Sequence, residues 1–217
     1  MTIEKRLTNS QKLLADAIFD KAAVKFGSFK LKLHEKNSTA PLSPIYITLR
    51  RPPDGPLTDE DVEAIGKELY NLVRRKKILF DIIAGIPRAG EPFAEVIARL
   101  SGRPLIKLGK KIVGDKRRID SVIGGEYRKN QLVLLFDDLI TKADTKKEAI
   151  AVCENAGLVV SAVVVLIDRE QGGSEELRDS GYELHAVFPL FAILDYYVQT
   201  GKIDSIKRNE VIAYINS

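Results

Sequence analysis

Apolar residues in this chain recur with two different periods, and the changes between them mark out its elements. Over residues 10–25, Leu13, Leu14, Ala17 and Ile18 return at helical spacing, and Gly27 follows where a left-handed stop would sit, so the pattern predicts an amphipathic helix. Residues 29–33 and 45–49 alternate as strands do around a polar loop. The run Arg51-Pro52-Pro53-Asp54-Gly55-Pro56 then breaks the chain, which predicts a small β element within residues 1–56. A second helix is expected to open at Thr58, with Asp61 close to the capping-box position, and to run through Ile65, Leu69 and Leu72. The basic Arg74-Arg75-Lys76-Lys77 suits the negative end of its dipole.

Beyond residue 77 the pattern becomes regular. Strands are expected at 78–84, 104–108, 131–136, 159–167 and 183–188, and helices at 91–100, 146–156 and 175–179. A long polar stretch from 109 to 129 reads as a loop, and two closing helices at 191–198 and 206–215 flank a break at Gly201. Short β-branched runs alternating with helices imply parallel strands joined by right-handed crossovers. The expected fold is therefore α/β, a doubly wound, mostly parallel sheet over residues 57–217 with the small N-terminal element in front of it. In such sheets ligands bind at the carboxyl ends of the strands, so the loops after Ala84, Leu108, Phe136 and Ile167 are the places to look for chemistry.

Composition narrows the class further. With 217 residues, 45% hydrophobic and 29% charged, the chain is an ordinary globular protein, and neither disorder nor a fibrous repeat needs considering. No stretch approaches the roughly 18 uninterrupted apolar residues of a membrane span, and the opening MTIEKRLTNSQ lacks the apolar run of a signal peptide, so a cytoplasmic location and no membrane partner are expected. Cys153 has no second thiol to pair with and is expected to be a buried structural residue; His34 and His185 show no metal-ligand spacing. The net charge of +4 is unevenly spread: Arg103, Lys107, Lys110, Lys111, Lys116, Arg117 and Arg118 face only Asp115 in their stretch. Such a cluster suits a polyanionic small molecule, a nucleic acid or simply a solvated surface.

Four loops carry candidate chemistry. After the strand at 131–136, Asp137-Asp138 stand before Leu139-Ile140-Thr141-Lys142-Ala143-Asp144-Thr145. Two acids at a strand end suit vicinal hydroxyls or a hydrated magnesium ion, and the helix start beyond them offers amides to a phosphate. The segment Gly85-Ile86-Pro87-Arg88-Ala89-Gly90 joins a strand to a helix and suits a diphosphate, through backbone amides and Arg88, or is an ordinary βα turn. The stretch 109–129, with Lys110 and Lys111, has the length of a functional lid. Lastly, Asp168-Arg169-Glu170-Gln171-Gly172-Gly173 is either a polar turn or a clamp in which Arg169 grips a planar carboxylate.

Together these segments resemble the orotate phosphoribosyltransferases of the type I phosphoribosyltransferase family. The apolar strand with Asp137-Asp138 and Thr141 is similar to that family's phosphoribosyl-pyrophosphate motif, 85–90 to its pyrophosphate loop, 109–129 to its catalytic loop, and Leu166-Ile167-Asp168-Arg169-Glu170-Gln171-Gly172-Gly173 to its orotate-recognising segment. Residues 25–32 and 43–50 are similar to its hood region. The resemblance implies that Asp137 and Asp138 hold the ribose, that Thr141, Lys142, Ala143, Asp144 and Thr145 wrap the 5′-phosphate, and that Arg88 meets the diphosphate. By the same resemblance Lys110, Lys111, Asp115 and Lys116 act from the lid, Arg169 binds orotate, and Lys32 borders the base and the donor. It further implies phosphoribosyl transfer from phosphoribosyl pyrophosphate to orotate in pyrimidine synthesis, Mg²⁺ held mainly through the donor's pyrophosphate, no metal site of the chain's own, a homodimer, and no nucleic-acid partner.

The chain departs from the family pattern at Arg88, where a small residue is usual, in an insertion from His34 to Leu42, and in two further places. Lys142, Ala143 and Asp144 stand where a second Thr and glycines are usual, and Gly114 stands where a catalytic lysine is expected. Two further readings therefore remain open at this point: a phosphoribosyltransferase for another nucleobase, and a non-catalytic regulator of the same fold that binds a nucleotide or nucleic acid.

Overall fold

The computed structural model describes residues 7–31, 37, 39–114 and 116–217. The elements run α1 (Asn9–Asp20), β1 (Val24–Phe29), β2 (Ser43–Ile47), α2 (Asp59–Lys76), β3 (Ile82–Gly85), α3 (Glu91–Ser101), β4 (Leu105–Val113) and β5 (Lys116–Gly124). They continue with β6 (Leu132–Ile140), α4 (Asp144–Asn155), β7 (Val159–Asp168), α5 (Gly173–Asp179), β8 (Leu184–Pro189), α6 (Leu190–Gln199) and α7 (Ser205–Ile215). Contacts divide the chain into two compact units, Met1–Asp59 with Leu190–Ser217, and Glu60–Pro189.

In the first unit Thr8 caps α1 reciprocally with Gln11: the Gln11 amide donates to Thr8 Oγ1 at 3.2 Å and the Thr8 amide to Gln11 Oε1 at 2.8 Å. The helix ends earlier than its apolar spacing suggests. Ala22 turns at φ 54°, and the chain enters β1, which pairs antiparallel with β2 through Val24↔Ile47 and Phe26↔Ile45. Both strands therefore lie a few residues ahead of the expected 29–33 and 45–49. The two closing helices group with this unit. The reason is Tyr197 on α6: its ring is fully buried against Phe19 at 4.8 Å between centroids, and its hydroxyl donates to the Ala15 carbonyl at 2.7 Å.

The second unit is built on a six-stranded sheet of order β5-β4-β3-β6-β7-β8, parallel except for the antiparallel pair β4 and β5. Its central strand reads Val133-Leu134-Leu135-Phe136, four residues with no exposed surface. Burying each contributes roughly 1.5–3 kcal/mol of transfer free energy. Val133 and Leu135 join a core cluster with Ala149, Ile150 and Cys153 of α4 and Leu177 of α5. The intervening Leu134 and Phe136 are just as buried, so both faces of the strand are covered, as a parallel sheet requires. Cys153 is a buried thiol inside that cluster, and burial pushes it up to about 12, which leaves it inert.

Two expectations are corrected here. The strand expected from residue 78 starts at Ile82: Leu79 is exposed, and Asp81 instead bridges to β6, its amide donating to Leu132 O at 2.8 Å and its carboxylate accepting from Leu132 N at 2.9 Å. The stretch 109–129 is not a loop of irregular backbone. β4 continues to Val113 and returns as β5 in a long hairpin, because Ile119 reaches the core cluster and the Glu148 carboxylate on α4 accepts from its amide at 3.2 Å. Gly114 lies at the hairpin turn with φ 61°, a left-handed conformation in which a lysine would be strained, so its place in the sequence is explained by the turn.

Tyr197→Phe tests the anchoring of the first unit. Losing the hydroxyl leaves the Ala15 carbonyl buried without that donor, and the expected cost is about 1–2 kcal/mol in urea unfolding, with an unchanged m-value.

Candidate active site

The strand order fixes where a site can form. From β3 the chain moves outward to β4 and β5, whereas β6, β7 and β8 progress the other way, so β3 and β6 are neighbours at the topological switch point. Crossovers diverge there and leave a crevice at the carboxyl ends of the two strands.

The loop after β3 lies directly on the end of β6. The Ile86 amide donates to Phe136 O at 2.8 Å, and a Cβ added at Gly90 would sit 2.0 Å from that same oxygen. Gly90 is thus required by the close approach of two backbones. It also opens α3 without any side-chain cap, with a proline in the first turn, which leaves helix-start amides for an anion. The Pro87–Arg88 peptide is cis. Arg88 is exposed beside this turn, and Lys110 of β4 donates to the Pro87 carbonyl. Burial first, then the nearby Glu95, raise the Glu91 carboxyl above its ordinary value, against the pull of Lys107, Lys110 and Arg88.

At the end of β6 the two acids have separate roles. Asp137 is buried, and both its oxygens are engaged: Oδ2 meets the Lys146 ammonium at 2.6 Å and Oδ1 accepts the Asp138 amide at 2.9 Å. Lys146, itself buried on α4, also donates to the Leu139 carbonyl at 2.6 Å. Asp138 is half-buried and accepts the Leu139 amide through Oδ1 at 2.7 Å. Burial first, then the adjacent Asp137 charge, push its carboxyl up to about 7, against the opposing pull of Lys146 and the Leu139 amide. Of the pair, Asp138 is the carboxylate left to meet a ligand.

The Arg169 loop lies alongside. The Arg169 amide donates to Ile140 O at 3.0 Å, and a Cβ on Gly173 would come within 2.9 Å of Thr141 O, so the start of α5 sits against the segment 141–145. Asp168 ties the turn by accepting from the Glu170 amide at 2.8 Å and from the Ser174 hydroxyl. Arg169 is buried within it. Thr141 and Thr145 are half-buried, Lys142 and Asp144 are exposed, and Ala143 is fully buried with its amide on Glu176 of α5.

The structure therefore places Arg88, Asp137, Asp138, Thr141, Lys142, Ala143, Asp144, Thr145 and Arg169 on strand ends, turns and a helix start at the carboxyl end of one sheet, with Lys110 of β4 bonded to the Pro87 carbonyl beside Arg88. Lys111 is exposed on β4 opposite Arg118, the next position along the strand from Lys110 and so on its other face. Lys116 opens β5, while Lys32, His34 and Asp115 lie outside the described residues. Among the described residues no three His, Cys, Asp or Glu side chains converge as a metal cage. Lys146 and Glu176 were not anticipated. Lys146 had a signal: with Ala149, Ile150 and Cys153 it occupies the buried stripe of α4, where a lysine calls for a partner.

The family model of the phosphoribosyl transferase domain matches residues 57–185. The chain belongs to this family. Within it, the orotate phosphoribosyltransferase of Sulfurisphaera tokodaii is 30% identical over 176 residues, which cover 80% of this chain and 85% of that protein. Uridine 5′-monophosphate synthase of Caenorhabditis elegans is 32% identical over 201 residues, 90% of this chain but 38% of the worm protein. The solved structure of Leishmania donovani UMP synthase superposes with a TM-score of 0.76 at 33% identity, covering 94% of this chain and 42% of that one. This phosphoribosyltransferase chain thus spans about two fifths of the length of those synthases.

Lys146→Met leaves Asp137 buried without its counter-charge, and a loss of roughly 3–5 kcal/mol in urea unfolding at pH 7 is expected. Adding Asp137→Asn recovers most of that loss. A loss in the double variant equal to the sum of the losses in Lys146→Met and Asp137→Asn measured singly would show that the pair is not coupled.

Proposed function

We propose that this chain is an orotate phosphoribosyltransferase, transferring phosphoribosyl from phosphoribosyl pyrophosphate to N1 of orotate and releasing orotidine 5′-monophosphate and pyrophosphate. The observation that carries the reading is the meeting, at one switch point, of a glycine-hinged helix start, an acid pair and a buried arginine loop, in a chain 30% identical to a protein of that name across most of its length.

In the reaction N1 of orotate gives up its proton to solvent and attacks the anomeric carbon while the bond from that carbon to the pyrophosphate oxygen breaks, its electron pair leaving with pyrophosphate. Arg169 positions the planar carboxylate of orotate. Asp138 accepts the ribose hydroxyls and so orients the anomeric carbon, and Asp137, held by Lys146, fixes Asp138 from behind. The amides at the start of α3, with Arg88 and Lys110, meet the negative charge that grows on the leaving diphosphate. By the family resemblance Lys111, Asp115 and Lys116 are proposed to act on the same group, and Lys32 to border the base. Magnesium carried on the donor's diphosphate would add neutralising charge. The donor set suits that mode, since a substrate-bound magnesium needs only one or two protein carboxylates and Asp138 is available. A homodimer and a cytoplasmic location complete the proposal; no helix among the described residues is long and apolar enough to cross a membrane.

Loss of orotate absorbance in the presence of phosphoribosyl pyrophosphate and Mg²⁺, dependent on all three components and abolished by Arg169→Ala, is the expected result. A folded chain that leaves orotate untouched but consumes another base would point to a different substrate.

The reaction also has a predictable pH dependence. With its carboxyl raised to about 7, Asp138 keeps its proton at pH 6 and releases it by pH 8, and only the ionised form accepts hydroxyl protons from both sides. The KM for phosphoribosyl pyrophosphate should therefore fall by up to about tenfold between pH 6 and 8. Asp138→Asn should abolish the inflection that Asp138 contributes; an identical profile in wild type and variant would assign it to the donor's own phosphates.

A further inference from the structure

We propose that Glu176 is an internal occupant of the phosphate-binding loop, and that it sets how tightly this chain holds the 5′-phosphate of its sugar substrate. The identity of the ligand rests on the reading above, whereas the contacts stand by themselves. α4 begins at Ala143 and Asp144 with no side-chain cap of its own. A carboxylate supplied from α5 takes that place: Glu176 Oε2 accepts the Ala143 amide at 3.2 Å, and Oε1 lies 3.7 Å from the Lys142 ammonium. The amide at a helix start and the adjacent cation are the donors that an entering phosphate needs.

The placement is built into the fold. Glu176 stands in the first turn of α5, where its own amide donates to Gly172 O at 3.0 Å. The neighbouring Leu177 is fully buried, and Gly173 is pressed against Ile140 and the Thr141 carbonyl. The backbone carrying Glu176 is thus tied to the loop it caps. Its side chain is 37% exposed, so the carboxylate has a route outward into water. Sugar-phosphate binding then exchanges one anion for another: the phosphate takes the Ala143 amide and Lys142, and Glu176 turns away while its negative charge stays close. Asp144 in the first turn of α4 adds a second repulsive charge. The exchange weakens phosphate binding relative to an unoccupied loop and makes it sensitive to ionic strength.

Calorimetric titration of the whole chain with ribose 5-phosphate, for the wild type, Glu176→Gln and Glu176→Ala, tests this. Both variants should bind about two- to fivefold more tightly at low salt, with the difference shrinking at 0.5 M salt. Thermal melts of the same samples confirm that all three are folded. Unchanged or weaker binding in both folded variants, or no binding in any of the three proteins, overturns the proposal. Orotate turnover is measured in parallel: tighter ribose 5-phosphate binding without turnover would sink the orotate reading and leave Glu176 as the gate of another sugar-phosphate site, whereas turnover with unchanged binding would sink only the role of Glu176.

Discussion

The arrangement at the end of β6 depends on one buried ion pair, Lys146 on Asp137 at 2.6 Å. Two adjacent carboxylates at the end of a dry strand repel each other, and a counter-charge beside them offsets that repulsion. Lys146 reaches back from α4 and satisfies both Asp137 and the Leu139 carbonyl, so that the helix start, the strand end and the turn between them are clamped by a single ammonium. Such a pair adds little net stability compared with apolar side chains of the same volume, because both groups must leave water. Its contribution is geometric: it commits both oxygens of Asp137 to contacts at the strand end and leaves Asp138 as the more exposed member of the pair.

The second constraint is steric and belongs to glycine. Gly90 lets the β3–α3 turn touch the end of β6, and Gly173 lets α5 touch the turn after β6, each at a distance no Cβ would allow. Loops from three strands are thereby drawn together around the acid pair. The same close packing explains why Glu176 reaches the Ala143 amide: once Gly173 has placed α5 against Thr141, the first turn of that helix lies within side-chain reach of the start of α4.

Much of this was legible in the sequence because the signals are local. Strands such as 131–136 and 159–167 announce themselves as β-branched and leucine runs, and Asp137-Asp138, Arg88 and Arg169 stand at strand ends, where a doubly wound sheet places ligands. What the sequence hid depended on pairing over distance. Beyond Leu108 the hairpin of β4 and β5 looks mostly polar, with Ile119 buried in the core cluster and Val122 packed against it, and a polar strand paired with a polar strand has no period-two signature. The grouping of α6 and α7 with the N-terminal segment is set by Tyr197 and Ala15, residues 182 positions apart, and no local pattern reports that. Glu176 reads as an ordinary first-turn acid of a short helix until the structure shows which amide it holds.

The turn from Thr141 to Thr145 follows from the same physics. A loop with glycines offers several free amides to a phosphate and needs no internal cap, because water or ligand satisfies them. Here Ala143 has no exposed surface, and a buried amide left without an acceptor would carry the full cost of its desolvation. A carboxylate from α5 removes that cost in the ligand-free chain, and Lys142 balances the charge it brings. A buried alanine amide at the helix start and a carboxylate from α5 that caps it are therefore two parts of one solution. It holds the loop in a single shape before the ligand arrives, at the expense of an anion that the ligand must displace.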